Sequence, residues 1–159
     1  MDWSGVYFTR IVRAAQRGDQ RAVREVLTVI RPPVVRYCRA RVSASGGRAD
    51  ELAREVCGAV LASLPGYRLR DQHFATFVYR IAADAATRSG GRAGAIGGSP
   101  VDGLPARHRE ILILRVVVGL SAEEAGAVLG CTAAAIRLGQ HQALSELRAR
   151  VEQRGGVAR

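Results

Sequence analysis

Residues 120–144 read LSAEEAGAVLGCTAAAIRLGQHQAL, the pattern of two helices joined at a glycine. Ser121 can cap the first helix, and Glu124, three residues on, can reach back to the cap amide, which makes a capping box. Ala125, Val128 and Leu129 fall on one helical face, and Gly130 stands where the chain must leave the helix in a left-handed conformation. Thr132 caps the next helix, on which Ile136, Ala143, Leu144, Leu147 and Val151 share a face. Arg137, Gln140 and His141 point elsewhere. The first turn of this helix is small (Ala133, Ala134, Ala135), so it can enter a DNA major groove about 12 Å wide. The stretch therefore predicts a helix-turn-helix that reads DNA, against the plainer alternative of a helical hairpin packed in a core.

Charge supports the same partner. The 159 residues carry 24 basic groups, all arginine, against 14 acids, a formal charge of +10. An excess of guanidinium groups attracts a polyanion and suits the two-pronged binding of phosphate and guanine edges. Residues 1–89 hold 15 arginines and 8 acids, whereas residues 104–159 hold 8 and 5. Most of the surplus thus lies outside the helix-turn-helix, which gives the N-terminal part a nucleic-acid task of its own. Cys38, Cys57 and Cys131 stand far apart, without the spacing of a metal site, and read as buried reduced thiols. His73, His108 and His141 lie on separate segments, and no nucleophile or carboxylate pair is placed for catalysis, so neither an enzyme nor a bound cofactor or metal is expected. No apolar run approaches the roughly 20 residues that span a bilayer, and the N-terminus MDWSGVYFTR lacks the core of a signal peptide; the expected location is the cytoplasm.

Helical periodicity dominates the remainder, so the expected fold is all-α, with two small helical domains. One helix spans 6–17 and ends at Gly18; Asp19 caps a second that runs to about Ile30. Pro32 and Pro33 should end it and open a third, to about Val42. A fourth runs over about 50–64 with Leu52, Val56, Ala59 and Val60 inward, and a fifth over 74–88 follows a loop at 67–73. Residues 90–103 are small and glycine-rich and are expected to be a flexible linker between a domain at 1–89 and one at 104–159.

With these elements in place, the motifs resemble the extracytoplasmic-function (ECF) branch of the sigma-70 family. LPARHREILILRVVVGLSAEEAGAVLG is similar to the start of sigma region 4; ADELAREVC resembles region 2.2, and FATFVYRIAADAATR resembles regions 2.3 and 2.4. IRPPVVRYCRARV and REILILRVVVGLSAEE resemble the sigma factor D type within that branch. The likeness covers nearly everything except the tether and tails.

The resemblance implies a dissociable RNA polymerase subunit that recognises promoter −35 and −10 elements and assists melting. It implies as partners promoter DNA, core RNA polymerase through its β′ clamp helices and β flap, and an anti-sigma factor, with no membrane insertion. Polymerase docking falls to Asp50, Glu51, Arg54 and Glu55. Their acidic character inside the most basic part of the chain suits a protein partner, although Arg54 stands where the family commonly has Gln. The −10 side falls to the loop residues Tyr67, Arg68, Arg70, Asp71 and His73, which would hold a base turned out of the stack, and to Arg80, Asp84, Thr87 and Arg88, spaced on one face of the fifth helix. The −35 side falls to Thr132, Ala133, Ala134, Arg137, Gln140 and His141. Gly139 and Gln142 depart from the larger or basic residues common there, and Gly126 replaces a usual alanine at about 1 kcal/mol of helix propensity. The extra apolar helix before the LP motif is missing. These departures predict a region 4 that is less stable or binds DNA more weakly. The competing readings are a degenerate sigma-like regulator and a stand-alone helix-turn-helix transcription regulator; the second leaves the acidic helix and the basic first domain without a purpose.

Overall fold

Helix α1 (Val6–Gln16) buries Phe8, Ile11, Val12 and Ala15, a stripe at spacings of three and four residues. Gly18 turns the chain in the left-handed region, at φ 88°, where a side chain would be strained. Asp19 then starts α2 (Gln20–Arg41), its carboxylate accepting from the amides of Arg21 and Ala22 at 2.8 and 3.2 Å. The computed structural model describes residues 3, 5–42, 46–89 and 100–156, and among them every regular element is helical.

Two helices were expected where α2 is one, because Pro32 and Pro33 remove two amide donors and the second disfavours a helical conformation at the first. The helix nonetheless runs through both prolines. Its inward stripe is unbroken across them: Ala22, Val26, Ile30, Pro33, Val34, Tyr37 and Cys38 are all buried. At about 1.5–3 kcal/mol for each large apolar side chain removed from water, that stripe outweighs the two lost bonds.

Helix α3 (Gly46–Ser63) begins one turn earlier than its sequence pattern suggested and packs between α2 and α4 (Phe74–Arg88), whose bounds match the expectation. A 3-10 turn, Leu64–Gly66, and a short loop connect them. The Gln16 side chain ties α1 to this connection, donating to the carbonyls of Leu64 and Tyr67 at 3.0 and 2.7 Å. One end of the core is aromatic. Trp3 stacks on Tyr79 at 5.9 Å and meets Phe74 edge-on at 5.7 Å; Phe8 and Tyr67 pack on Phe74 at 5.0 and 5.3 Å.

The chain divides into two units, 1–92 and 93–159. Residues 90–99 of the expected linker lie outside the described residues. Its last four, Pro100–Gly103, form a 3-10 turn and belong to the second unit. Val101 packs with Leu144 and Leu147 on a small core of Leu104, Leu112 and Ala143, and Arg150 donates to the Gly103 carbonyl at 2.7 Å. This apolar anchoring is why the glycine-rich composition does not extend the linker to residue 103.

Helix α5 (Ala106–Leu112) continues as a π-helical segment, Ile113–Val118, closed by Gly119 at φ 86°. The Gly119 amide donates to the Leu114 carbonyl five residues back, at 3.1 Å, so the turn is wider than an α-helical one. Ile113, Leu114 and Val118 are buried by it, and Val116 and Val117 face outward. The unit ends with α6 (Ala122–Leu129) and α7 (Ala133–Gly156), the latter 24 residues long.

Candidate nucleic-acid and protein interfaces

The turn between α6 and α7 is specified at each end. Ser121 Oγ accepts from the Glu124 amide at 3.0 Å, and Glu124 Oε2 accepts from the Ser121 amide at 2.7 Å. Gly130 sits at φ 68° and Thr132 Oγ1 accepts from the Ala135 amide at 3.1 Å. Gly126 is not a weak point of α6. A Cβ there would lie 2.5 Å from the Cys131 carbonyl oxygen, whose own amide bonds back to the Gly126 carbonyl at 2.9 Å. The glycine lets the turn fold against the helix, so propensity is the wrong scale at this position.

Helix α7 buries Ile136, Gly139 and Ala143. Gly139 thus faces inward; a Cβ there would lie 2.6 Å from Ile111 Cδ1, and its smallness serves packing on α5 rather than reporting a lost DNA contact. Thr132, Ala134, Arg137 and His141 are exposed, Ala133 is half-buried, and Leu138 and Gln142 join the outward face. Gln140 is half-buried, with Oε1 accepting from Arg115 Nε at 2.9 Å. Arg115 also donates to the Leu120 carbonyl, so it joins the π-helical segment, the start of the motif and α7. Gln140 braces the motif from its inner side. Arg137 Nη2 reaches Glu123 Oε1 at 2.6 Å on the outside.

In the first unit, Tyr67 is buried, and its ring packs against Phe74 and Phe77. Its hydroxyl donates to the Gln72 carbonyl at 2.9 Å, and burial pushes the phenol up to about 12. Tyr67 therefore organises the loop from below and offers no ring to a base. Arg68, Arg70, Asp71 and His73 are exposed on that loop. On α4 the outward residues are Arg80, Asp84, Thr87 and Arg88, as their spacing required. The Thr87 hydroxyl donates to the Ala83 carbonyl at 2.9 Å.

The acidic ridge lies on α3. Glu51, Arg54 and Glu55 are exposed, and Asp50 is half-buried. Arginines from the neighbouring helices frame it: Arg39 meets Asp50 at 3.4 Å and Arg88 meets Glu55 at 3.9 Å. Alongside runs a groove between α2 and α3, lined among others by Leu27, Arg31, Val35 and Arg39. Their four-residue spacing signals this surface, but only once α2 is read as one helix through its prolines. Cys57 lines the same groove; burial raises its thiol and lifts that of Cys38 to about 12, so neither is a ready nucleophile. Cys131 is half-buried rather than buried. Among the described residues no cluster of three metal-ligating side chains occurs, and no helix is long and apolar enough to cross a membrane.

Comparison with known proteins gives the geometry its context. Residues 101–149 match the family model for sigma-70, region 4. Over 99% of its length the chain is 40% identical to the ECF RNA polymerase sigma factor SigD of Mycobacterium tuberculosis, covering 90% of that protein. It is 36% identical to the ECF RNA polymerase sigma factor ShbA of Streptomyces griseus, over 90% of this chain and 94% of that one. Among solved structures, CnrH in complex with the cytosolic domain of CnrY shares the fold at a TM-score of 0.78 and 22% identity, over 90% of this chain and 96% of that one. The sigma factor RpoE of Bartonella quintana, in complex with the anti-sigma factor NepR, does so at 0.65 and 19%, over 81% and 96%. At 40% and 36% identity to two such factors over nearly its whole length, and with its region 4 matched, the chain belongs to the ECF sigma factors of the sigma-70 family.

Proposed function

We propose that the chain joins core RNA polymerase, directs it to promoters and helps open them, with the work divided between its two units. In the second unit the outward face of α7 reads the −35 element, led by Arg137 with Thr132, Ala133, Ala134 and His141; Gln140 supports the motif from within. In the first unit the exposed loop residues Arg68, Arg70, Asp71 and His73 take a base unstacked from the −10 element. Arg80, Asp84, Thr87 and Arg88 follow its upstream edge. Tyr67 supports this loop rather than stacking on DNA.

The observation that carries the reading is the adjacency of two unlike surfaces in one unit. The ridge of Asp50, Glu51 and Glu55 on α3 repels phosphates and suits a basic protein surface, for which the β′ clamp helices are the proposed partner. The outward face of α4 begins where that ridge ends, at the Glu55–Arg88 pair. A subunit that must hold polymerase and DNA at once needs such a boundary. The chain itself is no enzyme, and its place of work is the cytoplasm, where core polymerase meets the chromosome.

CnrH and RpoE were each solved with a protein partner bound. An anti-sigma factor is accordingly a proposed partner of this chain as well. The deciding experiment mixes the purified chain with core polymerase and a library of promoter fragments and scores run-off transcripts. Specific initiation from a subset of fragments is expected; absence of both binding and initiation would remove the proposal.

A further inference from the structure

Leu138 is 58% exposed near the middle of the outward face of α7. It lies two residues from the wholly buried Ile136, and therefore on nearly the opposite side of the helix. It follows Ala134 by four residues and precedes His141 by three, so the three side chains share one face. Arg137, His141 and Gln142 are exposed beside it, the small Ala134 and Ala135 lie one turn before it, and Arg148 is exposed further along the helix. A single leucine among such groups makes a poor contact with an apolar protein surface, which would have to bury the polar groups around it, of which Arg137 alone brings a partner, Glu123. It does suit the floor of a major groove. Phosphates and base-edge acceptors there satisfy the cationic neighbours, and the one apolar group that the bases present is the C5-methyl of thymine.

The first turn sets the reach. Ala133, Ala134 and Ala135 bring the axis of α7 close to the base edges, and a side chain one turn later needs the length of a leucine to arrive at the same depth. Arg137 is the adjoining residue, and its bond to Glu123 holds it to one side of Leu138.

We infer that Leu138 is a specificity-determining residue that packs on the methyl group of a thymine in the −35 element. The inference rests on the proposed role of α7 as the reading helix. Holoenzyme formed from the full chain and core polymerase is first used to select its upstream element from random DNA. Each thymine of that element is then replaced singly by deoxyuridine, which lacks only the methyl group. One position is expected to lose affinity about four-fold, the worth of one buried methyl. With Leu138→Ala, an exposed change that leaves the fold intact by circular dichroism, thymine and uracil at that position should bind equally while the other positions keep their preferences. A selected element without thymine, the absence of any uracil penalty, or a penalty unchanged in Leu138→Ala overturns the inference. In those cases continued selection of an element by holoenzyme, and its weakening by Arg137→Ala, would leave the reading role of α7 standing. Failure to select any upstream element removes that role and the inference with it.

Discussion

Arg137 Nη2 and Glu123 Oε1 lie 2.6 Å apart, joining the first turn of α6 to the second turn of α7 across the outside of the motif. Both side chains are largely exposed, so the bond adds little to stability. Its effect is on where the guanidinium points. Arg137→Ala is expected to weaken binding to the matched −35 duplex by about 1–3 kcal/mol and to relax preference at one base pair. Glu123→Gln should act differently, raising affinity for random DNA by removing a negative charge while narrowing the gap between matched and random duplexes. Fluorescence anisotropy over a salt series checks both. Equal loss on matched and random DNA in the two variants would refute the directing role.

The same pair gives a pH expectation. A hydrogen bond from its own backbone amide, then the one from Arg137, holds the Glu123 carboxyl below the usual carboxylate range. A depressed folded-state pKa means that the pair is present above the unfolded value, about 4.3, and is lost as pH falls through the folded one. Carboxyl carbon shifts followed by NMR should show Glu123 titrating below the ordinary glutamate value. In Arg137→Ala this difference should shrink but persist, because the backbone bond remains.

Gly126 and Gly139, both buried, should respond unequally to alanine. At Gly126 the added carbon meets a backbone oxygen, which cannot move without opening the turn. At Gly139 it meets the end of the Ile111 side chain, which can rotate. Gly126→Ala is expected to cost about 1–3 kcal/mol despite alanine's better helix propensity, and Gly139→Ala less than about 1 kcal/mol. Urea unfolding of the full chain measures both. A stabilising Gly126→Ala would contradict the close approach.

Pro32 is exposed within α2 and Pro33 is buried. Pro32→Ala restores an amide donor without emptying any core volume, and is expected to stabilise the first unit by about 1–3 kcal/mol. Pro33→Ala restores a donor too but leaves a void, so its gain should be smaller. The ordering of the two denaturant midpoints is the readout.

Replacing Asp50, Glu51 and Glu55 together by alanine should abolish or strongly weaken the association with core polymerase while leaving DNA contacts of the second unit in place. Asp50 and Glu55 face Arg39 and Arg88. Charge-reversing those arginines instead should not mimic the loss. Binding of labelled chain to core enzyme distinguishes the two, and normal association of the triple variant would end the docking proposal.

What could be read from the residues was whatever depends on near neighbours in the chain. The capping box at Ser121, the left-handed Gly130, the cap at Thr132 and the bounds of α4 all follow from interactions within a few positions. What could not be read needed a distant partner. The continuity of α2 through Pro32 and Pro33 depends on burial against α3 and α4. The inward turn of Gly139 depends on Ile111, and the burial of Tyr67 on Phe74 and Phe77. The groove beside the acidic ridge was hidden for the same reason, since its α2 wall exists only if that helix is unbroken. Leu138 was within reach: its position opposite Ile136 is a matter of helical spacing alone.

The widened turn at Ile113–Val118 holds one residue more than a regular helix would use to cover the same rise. Deleting a single residue there would restore ordinary winding at no cost in backbone bonds and keep the flanking segments nearly aligned, yet would change which of the segment's own residues face the core. Arg115 would then lose its grip on Gln140 and on the Leu120 carbonyl together. The surplus residue is thus a shim: it lets Arg115 turn toward α7 and the start of the motif within a helix whose two flanks keep their course.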